Sequence, residues 1–490
     1  MASINLLQAY YNILMLTKTD FLMYLDCPLH LWAEKHGVAE EKEPNEHEKF
    51  LIKQGYEIEK LAQQFIEEVL MEEKYSPEAT VSFQDEVEDG GYHARLDAFV
   101  HDPEKDIYDL YEIKSSTSVD KDNKYDATFQ HLLCQDVLPI NKTYLLHLNG
   151  EYVKNGELNI SKLFVIKDMS KDIEKLQDEV KRERAKALAV MNSDSPPVDE
   201  HCYKPNDCSC SQLCHPNLHD SPIYDLPYGN KKKYQSLLQM GISTLVDIPD
   251  DFKLSLRQET LVCSAKQSSP VIKAEEIKKE LNKLIYPLYF LDYETFNSAL
   301  PLYNGQKPYQ QTVFQYSLHI LDSRDGKLEH KEFLWLKDED PSRALCEQLI
   351  KDIGTKGSVI VWNKGFEMGR NKELAELQPK FAKQLLDINK RVFDLMEIFS
   401  KCLYVDHRFH GSCSIKNVLP VLVPELSYKK LTVSQGDQAM MTWYNLVHSR
   451  RGKGKNFGVK KQAMAGSLLE YCKLDTLAMV EIWKHLMGVV

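Results

Sequence analysis

The sequence predicts an α/β protein of more than one domain. Residues 285–490 read strand, strand, strand, helix, strand, then helices, and residues 1–218 interleave helical apolar spacing with two-residue alternation. The chain has 490 residues, enough for two to four domains at roughly 100–200 residues each. Hydrophobic residues at 43% and charged residues at 27% are globular averages, which excludes a largely disordered or collagen-like chain. No apolar run approaches the roughly 18 residues of a membrane span. The N-terminus lacks the basic flank and small-residue cleavage site of a signal peptide. A soluble, cytoplasmic protein is expected.

Taken in order, the spacing predicts helices over 19–35 and 46–72 and strands over 79–87, 91–101 and 106–114. A helix near 124–138, a strand over 141–148 and a charged helix over 170–192 follow. Ser193-Asp194-Ser195-Pro196-Pro197 then breaks the pattern. This gives a first domain over 1–218, a small helical linker over 219–284 and a last domain over 285–490. In the linker, Met240-Gly241-Ile242-Ser243-Thr244-Leu245 reads as a connecting turn between helices, with a helix-hairpin-helix-type phosphate contact as the alternative. The last domain begins with a strand over 286–294 and continues with strands over 311–321 and 331–336. A helix over 341–353, a strand over 358–363 and a late helix over 467–487 complete it.

The formal net charge of −12 argues against a surface that coats nucleic acid non-specifically. Local basic segments remain at Lys231-Lys232-Lys233 and at Arg450, Arg451, Lys453, Lys455, Lys460 and Lys461. Eleven cysteines in a cytoplasmic chain point to thiols or metal ligands before disulfides. Cys202, Cys208, Cys210 and Cys214 crowd one short segment. Cys134, Cys263, Cys346, Cys402, Cys413 and Cys472 read as small core residues.

Glu112 and Lys114, in Tyr108-Asp109-Leu110-Tyr111-Glu112-Ile113-Lys114, share one face of a strand. A carboxylate there can hold a divalent cation while the ammonium orients the attacking water and offsets phosphate charge. The tripeptide alone is common, since Glu276-Ile277-Lys278 repeats it in a helical stretch. Its context adds Asp97 on the preceding strand, Glu59 on the upstream helix and Gln130 on the downstream one. This order, over roughly residues 17–170, resembles the RecB-like branch of the PD-(D/E)XK nucleases. Thr17-Lys18-Thr19 followed by Cys27-Pro28 matches how such domains begin. The resemblance implies that Glu59, Asp97 and Glu112 bind Mg²⁺ or Mn²⁺, with Lys114 and Gln130 assisting. The tyrosine usually found four residues after the glutamine is replaced by Cys134.

Cys202, Cys208 and Cys214 with Cys27 make four thiolates, one before and three after this domain; Cys210 is an alternative to Cys208. The arrangement resembles the iron–sulfur staple of RecB-like nucleases, which implies a structural [4Fe–4S] cluster, with Zn²⁺ as the alternative.

In the last domain, Asp292-Tyr293-Glu294 ends a buried strand with two acids on one face. Asp172-Ile173-Glu174 shows that such a pair is common by itself. Glu367 stands where the strand ending Val359-Ile360-Val361 turns into a helix. Tyr471 and Asp475 lie four apart on the late helix and share a face. Four carboxylates can hold two cations, one activating water and the other stabilising the departing oxygen. Residues 286–487 resemble the RNase H-like, DnaQ-type exonucleases of the tyrosine variant. The resemblance implies metal binding by Asp292, Glu294, Glu367 and Asp475, water orientation by Tyr471, and 3′-end trimming. Glu367 replaces the usual aspartate. Asp394 reads as a secondary structural or substrate contact; His407 and His410 read as satisfied histidines.

The tandem order resembles the bacterial DUF2779 proteins over nearly the whole chain. The expected activity is metal-dependent phosphodiester hydrolysis at two sites, on DNA with RNA as the alternative and no membrane partner. The rival expectation is a nucleic-acid-binding or scaffold protein in which one or both sites are degenerate.

Overall fold

The computed structural model describes residues 14–39, 43–197, 203, 205, 208, 210–448 and 457–490. It divides into two compact units, Met1–Pro216 with Ser298–Tyr309, and Asn217–Asn297 with Gln310–Val490. Both are mixed α/β.

The first unit is built on a five-stranded sheet. Its central strand Ile107–Lys114 pairs antiparallel with Ala98–Asp102 and parallel with Ile140–Leu148; Thr80–Ser82 and Phe164–Asp168 close the edges. A parallel pair needs a crossover, supplied by helix Lys121–Val137. Both faces are covered. Tyr111, Ile113, Tyr144 and Leu146 pack on Ile58, Ala62 and Phe65 of helix Glu46–Phe65. Leu110 faces Phe129, Leu132 and Leu133 of the crossover helix.

Three expected elements divide. The helix expected over 19–35 becomes Lys18–Asp26 and Pro28–Lys35, because Pro28 donates no backbone hydrogen bond and Cys27 before it is extended. The strand expected over 91–101 breaks at Asp97. Tyr92–Leu96 joins a three-stranded sheet with Leu16–Thr17 and Asp85–Asp89, and Ala98–Asp102 joins the larger one. The strand expected over 79–87 breaks near Gln84, whose φ is 61°. Phe164–Asp168 is an edge strand without an apolar alternation long enough to announce it.

The second unit also holds a five-stranded sheet. Numbered in chain order within the sheet, its strands run 3-2-1-4-5: Leu328–Leu334, Thr312–Leu321, Leu288–Phe296, Ser358–Val361, Val392–Asp394. The first three are antiparallel and the last two run parallel to the central strand. Leu288, Phe290 and Ile360 pack on Ala478, Met479, Ile482 and Trp483 of helix Phe457–Val489. Tyr289, Leu291, Val359 and Val361 pack on Leu345, Leu349, Leu374 and Leu385.

Residues 219–284, set apart in the sequence as a linker, are grouped with this unit. Val271–Ile272 pairs with Tyr404–Val405, and the His407 backbone N–H donates to Ser264 Oγ at 3.0 Å. Gly411, at φ 68°, lies so close to Asp225 that a Cβ would fall 1.9 Å from its carbonyl oxygen. Among the described residues, no helix is long and apolar enough to cross a membrane.

Candidate active sites

In the first unit, the two-residue period of Ile107–Lys114 turns Glu112 and Lys114 toward the crossover helix. Glu112 is 1% exposed, and a buried carboxylate needs donors. Three groups supply them. Lys18 Nζ and Lys114 Nζ both reach Glu112 Oε1 at 2.7 Å, and Gln130 Nε2 donates to Oε2 at 2.6 Å. Asp126, one helical turn before Gln130, accepts from Lys114 Nζ at 2.5 Å and from Gln130 Nε2 at 2.8 Å. Asp97, at the break between two strands, accepts the Ile113 backbone N–H at 2.8 Å. A side chain thus replaces a ladder partner and fixes Asp97 beside the central strand.

The electrostatics follow from burial and these charges. Burial opposes the ionisation of Glu112, but Lys114 and then Lys18 overcome it and hold the acid well below the usual carboxylate range. Burial and the neighbouring Glu112 charge push Asp97 up to about 7. Lys114 is held above its ordinary value by Glu112 and Asp126, against its own burial.

The structure therefore brings together Asp97, Glu112, Lys114 and Gln130. Glu59 stands apart from them. Its helix packs on the opposite face of the sheet, and its carboxylate accepts from Gln84 at 2.7 Å and Gln63 at 3.2 Å. The amphipathic spacing that sets that packing face turns the residue away from the crossover helix. Lys18 and Asp126 were not foreseen. The i, i+4 relation of Asp126 to Gln130 was a usable signal, whereas Thr17-Lys18-Thr19 marked the start of the domain without relating Lys18 to Glu112.

In the second unit, the central strand turns Asp292 and Glu294 toward helix Phe457–Val489, which returns Tyr471, Cys472 and Asp475 to the same place. Cys472 Sγ lies 3.6 Å from Asp292 Oδ2. One ligand atom each from Asp292, Glu294 and Cys472 fall within 4.8 Å of one another. Cys472, expected as a plain core thiol, is buried but sits among acids. Glu367 enters from the first turn of helix Lys364–Leu377, which Asn363 caps by accepting the Gly365 N–H at 3.2 Å.

Burial raises all four acids. Asp292 is pushed well above the carboxylate range by burial and then by Asp475, Glu294 and Glu367. Glu294 is raised by burial and Asp475, with Lys416 opposing. Asp475 is pushed up to about 7 by burial, against the Tyr428 hydrogen bond and Lys416. Glu367 is pushed up to about 8 by burial, with Asp394 adding to it. The four acids named in the sequence do converge. Tyr471 is buried beside them, its phenol raised by burial and then by Asp475, Glu294 and Asp292.

A second tyrosine, unmarked by any sequence pattern, makes the direct contact: Tyr428 Oη donates to Asp475 Oδ1 at 2.6 Å. Asp394 has the structural part expected of it, accepting the backbone N–H groups of Lys364 and Met396, each at 3.1 Å. His410 lies 3.0 Å from Asp225, and His407 lies 3.7 Å from Asp406.

Two observations bear on whether a divalent cation fits. Glu367 Oε2 and Gln130 Oε1 are buried without a hydrogen-bond partner, and the donors of the second site are mainly carboxylate oxygens, the ligand type of Mg²⁺ and Mn²⁺. The sites differ in charge balance. Lysines at ion-pair distance offset the acids of the first; among the described residues, none does so in the second.

The cysteine cluster lies partly outside the described residues, Cys202 among them. Cys27 is buried at the start of helix Pro28–Lys35, and its thiol is pushed up by burial, with Cys214 and Cys208 adding to the shift. Trp32 Nε1 donates to the Ser193 carbonyl at 2.8 Å, which anchors this helix at the approach to the later cysteines. The Cys210 N–H donates to Cys208 Sγ at 3.3 Å. Three of the four expected thiols thus share a neighbourhood whose sulfur donors suit an iron–sulfur cluster or Zn²⁺. Of the basic segments, Lys233 is tied to Gln258 at 2.5 Å, while Arg450, Arg451, Lys453 and Lys455 lie outside the described residues.

Fold and site together define a mixed α/β protein with two clusters of buried acids, one in each unit. Residues 289–414 match the family model described as "Domain of unknown function (DUF2779)", a span that holds Asp292, Glu294 and Glu367. The "Uncharacterized protein UU173" of Ureaplasma parvum is 32% identical over 169 residues, covering 30% of this chain and 24% of that protein. The "Uncharacterized protein MG366" of Mycoplasma genitalium is 27% identical over 230 residues, covering 42% and 33%. The matches span a quarter to a third of those relatives' length. A solved structure titled "Crystal structure of SSO0001" aligns at 14% identity over 43% of this chain and 89% of that chain, with a TM-score of 0.22.

Proposed function

We propose that the chain is a divalent-metal-dependent nuclease that hydrolyses phosphodiester bonds of DNA in the cytoplasm. Its first unit is RecB-like and of the PD-(D/E)XK type; its second is RNase H-like and of the DnaQ type, and trims 3′ ends. The observation that carries this reading is the convergence of Asp292, Glu294, Glu367 and Asp475, from two strand–helix regions and a late helix, on one buried place. The 3-2-1-4-5 strand order and the asparagine-capped helix start that delivers Glu367 support it.

Mg²⁺ or Mn²⁺ supplies Lewis acidity at the scissile phosphate when bound. Asp292, Glu294, Glu367 and Asp475 hold it in the second unit, and Asp97 and Glu112 in the first. Tyr428 fixes the Asp475 carboxylate through its 2.6 Å bond, and Tyr471 orients water. In the first unit Gln130 fixes the rotamer of Glu112, and Lys114 orients water and offsets phosphate charge. Cys27, Cys202, Cys208 and Cys214 hold an iron–sulfur cluster, or Zn²⁺, that ties together the ends of the first unit.

A second reading keeps hydrolysis at the C-terminal site alone and uses the first unit to grip substrate. The pairing of Glu112 with two lysines favours it, because a compensated carboxylate attracts a cation less strongly.

The test is hydrolysis of end-labelled single- and double-stranded DNA and RNA, with Mn²⁺ and with EDTA, by wild type, Lys114→Ala and Asp292→Ala. Loss of 3′ trimming in Asp292→Ala, and of all activity in EDTA, is expected. Wild type that cleaves nothing with Mn²⁺ present overturns the proposal. Hydrolysis undiminished in Lys114→Ala assigns the chemistry to the second unit.

A further inference from the structure

Lys416 is an ammonium close enough to Glu294 and Asp475 to act on both charges, yet it pairs with neither. Its Nζ lies 5.8 Å from the ring centroid of Tyr471 and 5.9 Å from that of Tyr428. The two rings are 6.1 Å apart and border the acids, Tyr428 through its bond to Asp475. Yet among the described residues no carboxylate comes within ion-pair distance of Lys416, and its ammonium donates only a long 3.4 Å bond to the Ser434 carbonyl. The first unit shows what a counter-ion does in this protein: Lys18 and Lys114 close on their acids to 2.7 Å. An ammonium has three donors, so Lys416 keeps donor capacity. Its side chain is exposed, and so are Lys429 and Lys430, which directly follow Tyr428.

We propose that Lys416, with Lys429 and Lys430 on the same 415–430 segment, is a phosphate-binding wall that holds the backbone of a nucleic-acid strand against the acid cluster. This deepens the nuclease reading and rests on it. An ammonium beside aromatic faces at the rim of a carboxylate pocket has the chemistry to hold one phosphate while the acids address the next. The absence of a pairing contact keeps it from competing with a cation for those acids.

Binding of a labelled single-stranded oligonucleotide by the full-length protein, with Ca²⁺ in place of Mn²⁺ to prevent turnover, is measured across a salt series. Mn²⁺ binding without nucleic acid is measured by titration calorimetry. Lys416→Met is expected to reduce the slope of log K against log salt by about 0.7. It leaves Mn²⁺ affinity unchanged or raises it by up to about fivefold, because a positive charge has been removed. Lys416→Arg restores the slope. Lys429→Met/Lys430→Met, on an exposed turn, reduces the slope by about 1.4 and serves if Lys416→Met does not fold. Unchanged slopes in these variants overturn the proposal even if wild type binds both Mn²⁺ and oligonucleotide, which leaves the nuclease reading standing. Wild type that binds neither overturns both.

Discussion

Lys18 Nζ and Glu112 Oε1 lie 2.7 Å apart although 94 residues separate them in sequence. This contact joins the first described helix to the central strand, at the place where Lys114 reaches the same oxygen. Removing one partner of a buried ionic hydrogen bond leaves the other only partly satisfied. Lys18→Met is therefore expected to lower stability by about 1–3 kcal/mol, read by urea denaturation. Combining it with Glu112→Gln should cost less than the sum of the two single changes. Strict additivity would show that the two groups do not interact.

The second site ties stability to pH and metal together. Burial pushes Asp475 up to about 7 and Glu367 up to about 8, against about 4 in an unfolded chain. The folded state then holds protons that the unfolded state has released, so stability from these groups is present at low pH and is lost as pH rises toward 8. In EDTA the melting temperature should fall between pH 6 and pH 8 by more in wild type than in Glu367→Gln. A bound cation displaces those protons, so Mn²⁺ should raise the melting temperature more at pH 8 than at pH 6. Equal gains at both values would contradict an acid cluster that chelates.

Much of this was legible because chemistry and period coincide. A two-residue period fixes which side chains share a strand face, so Glu112 with Lys114, and Asp292 with Glu294, could be paired without coordinates. The i, i+4 rule did the same for Tyr471 and Asp475. What sequence could not supply was the face against which each helix packs. Glu59 was misplaced for that reason, since the apolar stripe of its helix lies on the far side of the sheet from Glu112. Lys416 and Tyr428 escaped because a short helix and a single turn carry no period that relates them to a site. Asp97 was named as a ligand, but not as the break that ends one strand and begins another.

The cysteines make a separate prediction. The thiols of Cys208 and Cys214 lie near Cys27 at the start of helix Pro28–Lys35, and the proposed function assigns these three, with Cys202, an iron–sulfur cluster. Protein purified without oxygen should be brown and lose its visible absorption in Cys27→Ser. Because the cluster would close a long loop, that variant should also be cleaved faster by protease near residues 193–214. Colourless protein with one equivalent of zinc per chain would replace the iron–sulfur assignment with a Zn²⁺ site.

The last prediction concerns a histidine pair behind the second site. His319 Nδ1 lies 2.8 Å from Thr476 Oγ1, and His330 Nε2 lies 2.9 Å from Ser317 Oγ. The two hydroxyls are themselves 2.8 Å apart, and Thr476 adjoins Asp475. Burial, then His330, Lys473 and Lys484, hold His319 down at about 3; burial and Lys473 hold His330 down at about 4. Both rings are neutral when folded, while an unfolded histidine takes a proton near pH 6.5. Their contribution is thus complete above that value and is lost as pH falls toward 4, by about 2 kcal/mol per ring at pH 5. His319→Asn, which keeps a polar group facing Thr476, should lose less stability than wild type between pH 7 and pH 5 in urea titrations. An unchanged acid slope would mean that the ring accepts a proton inside the fold, with Glu332, 3.9 Å from His330, as the nearby acid to test next.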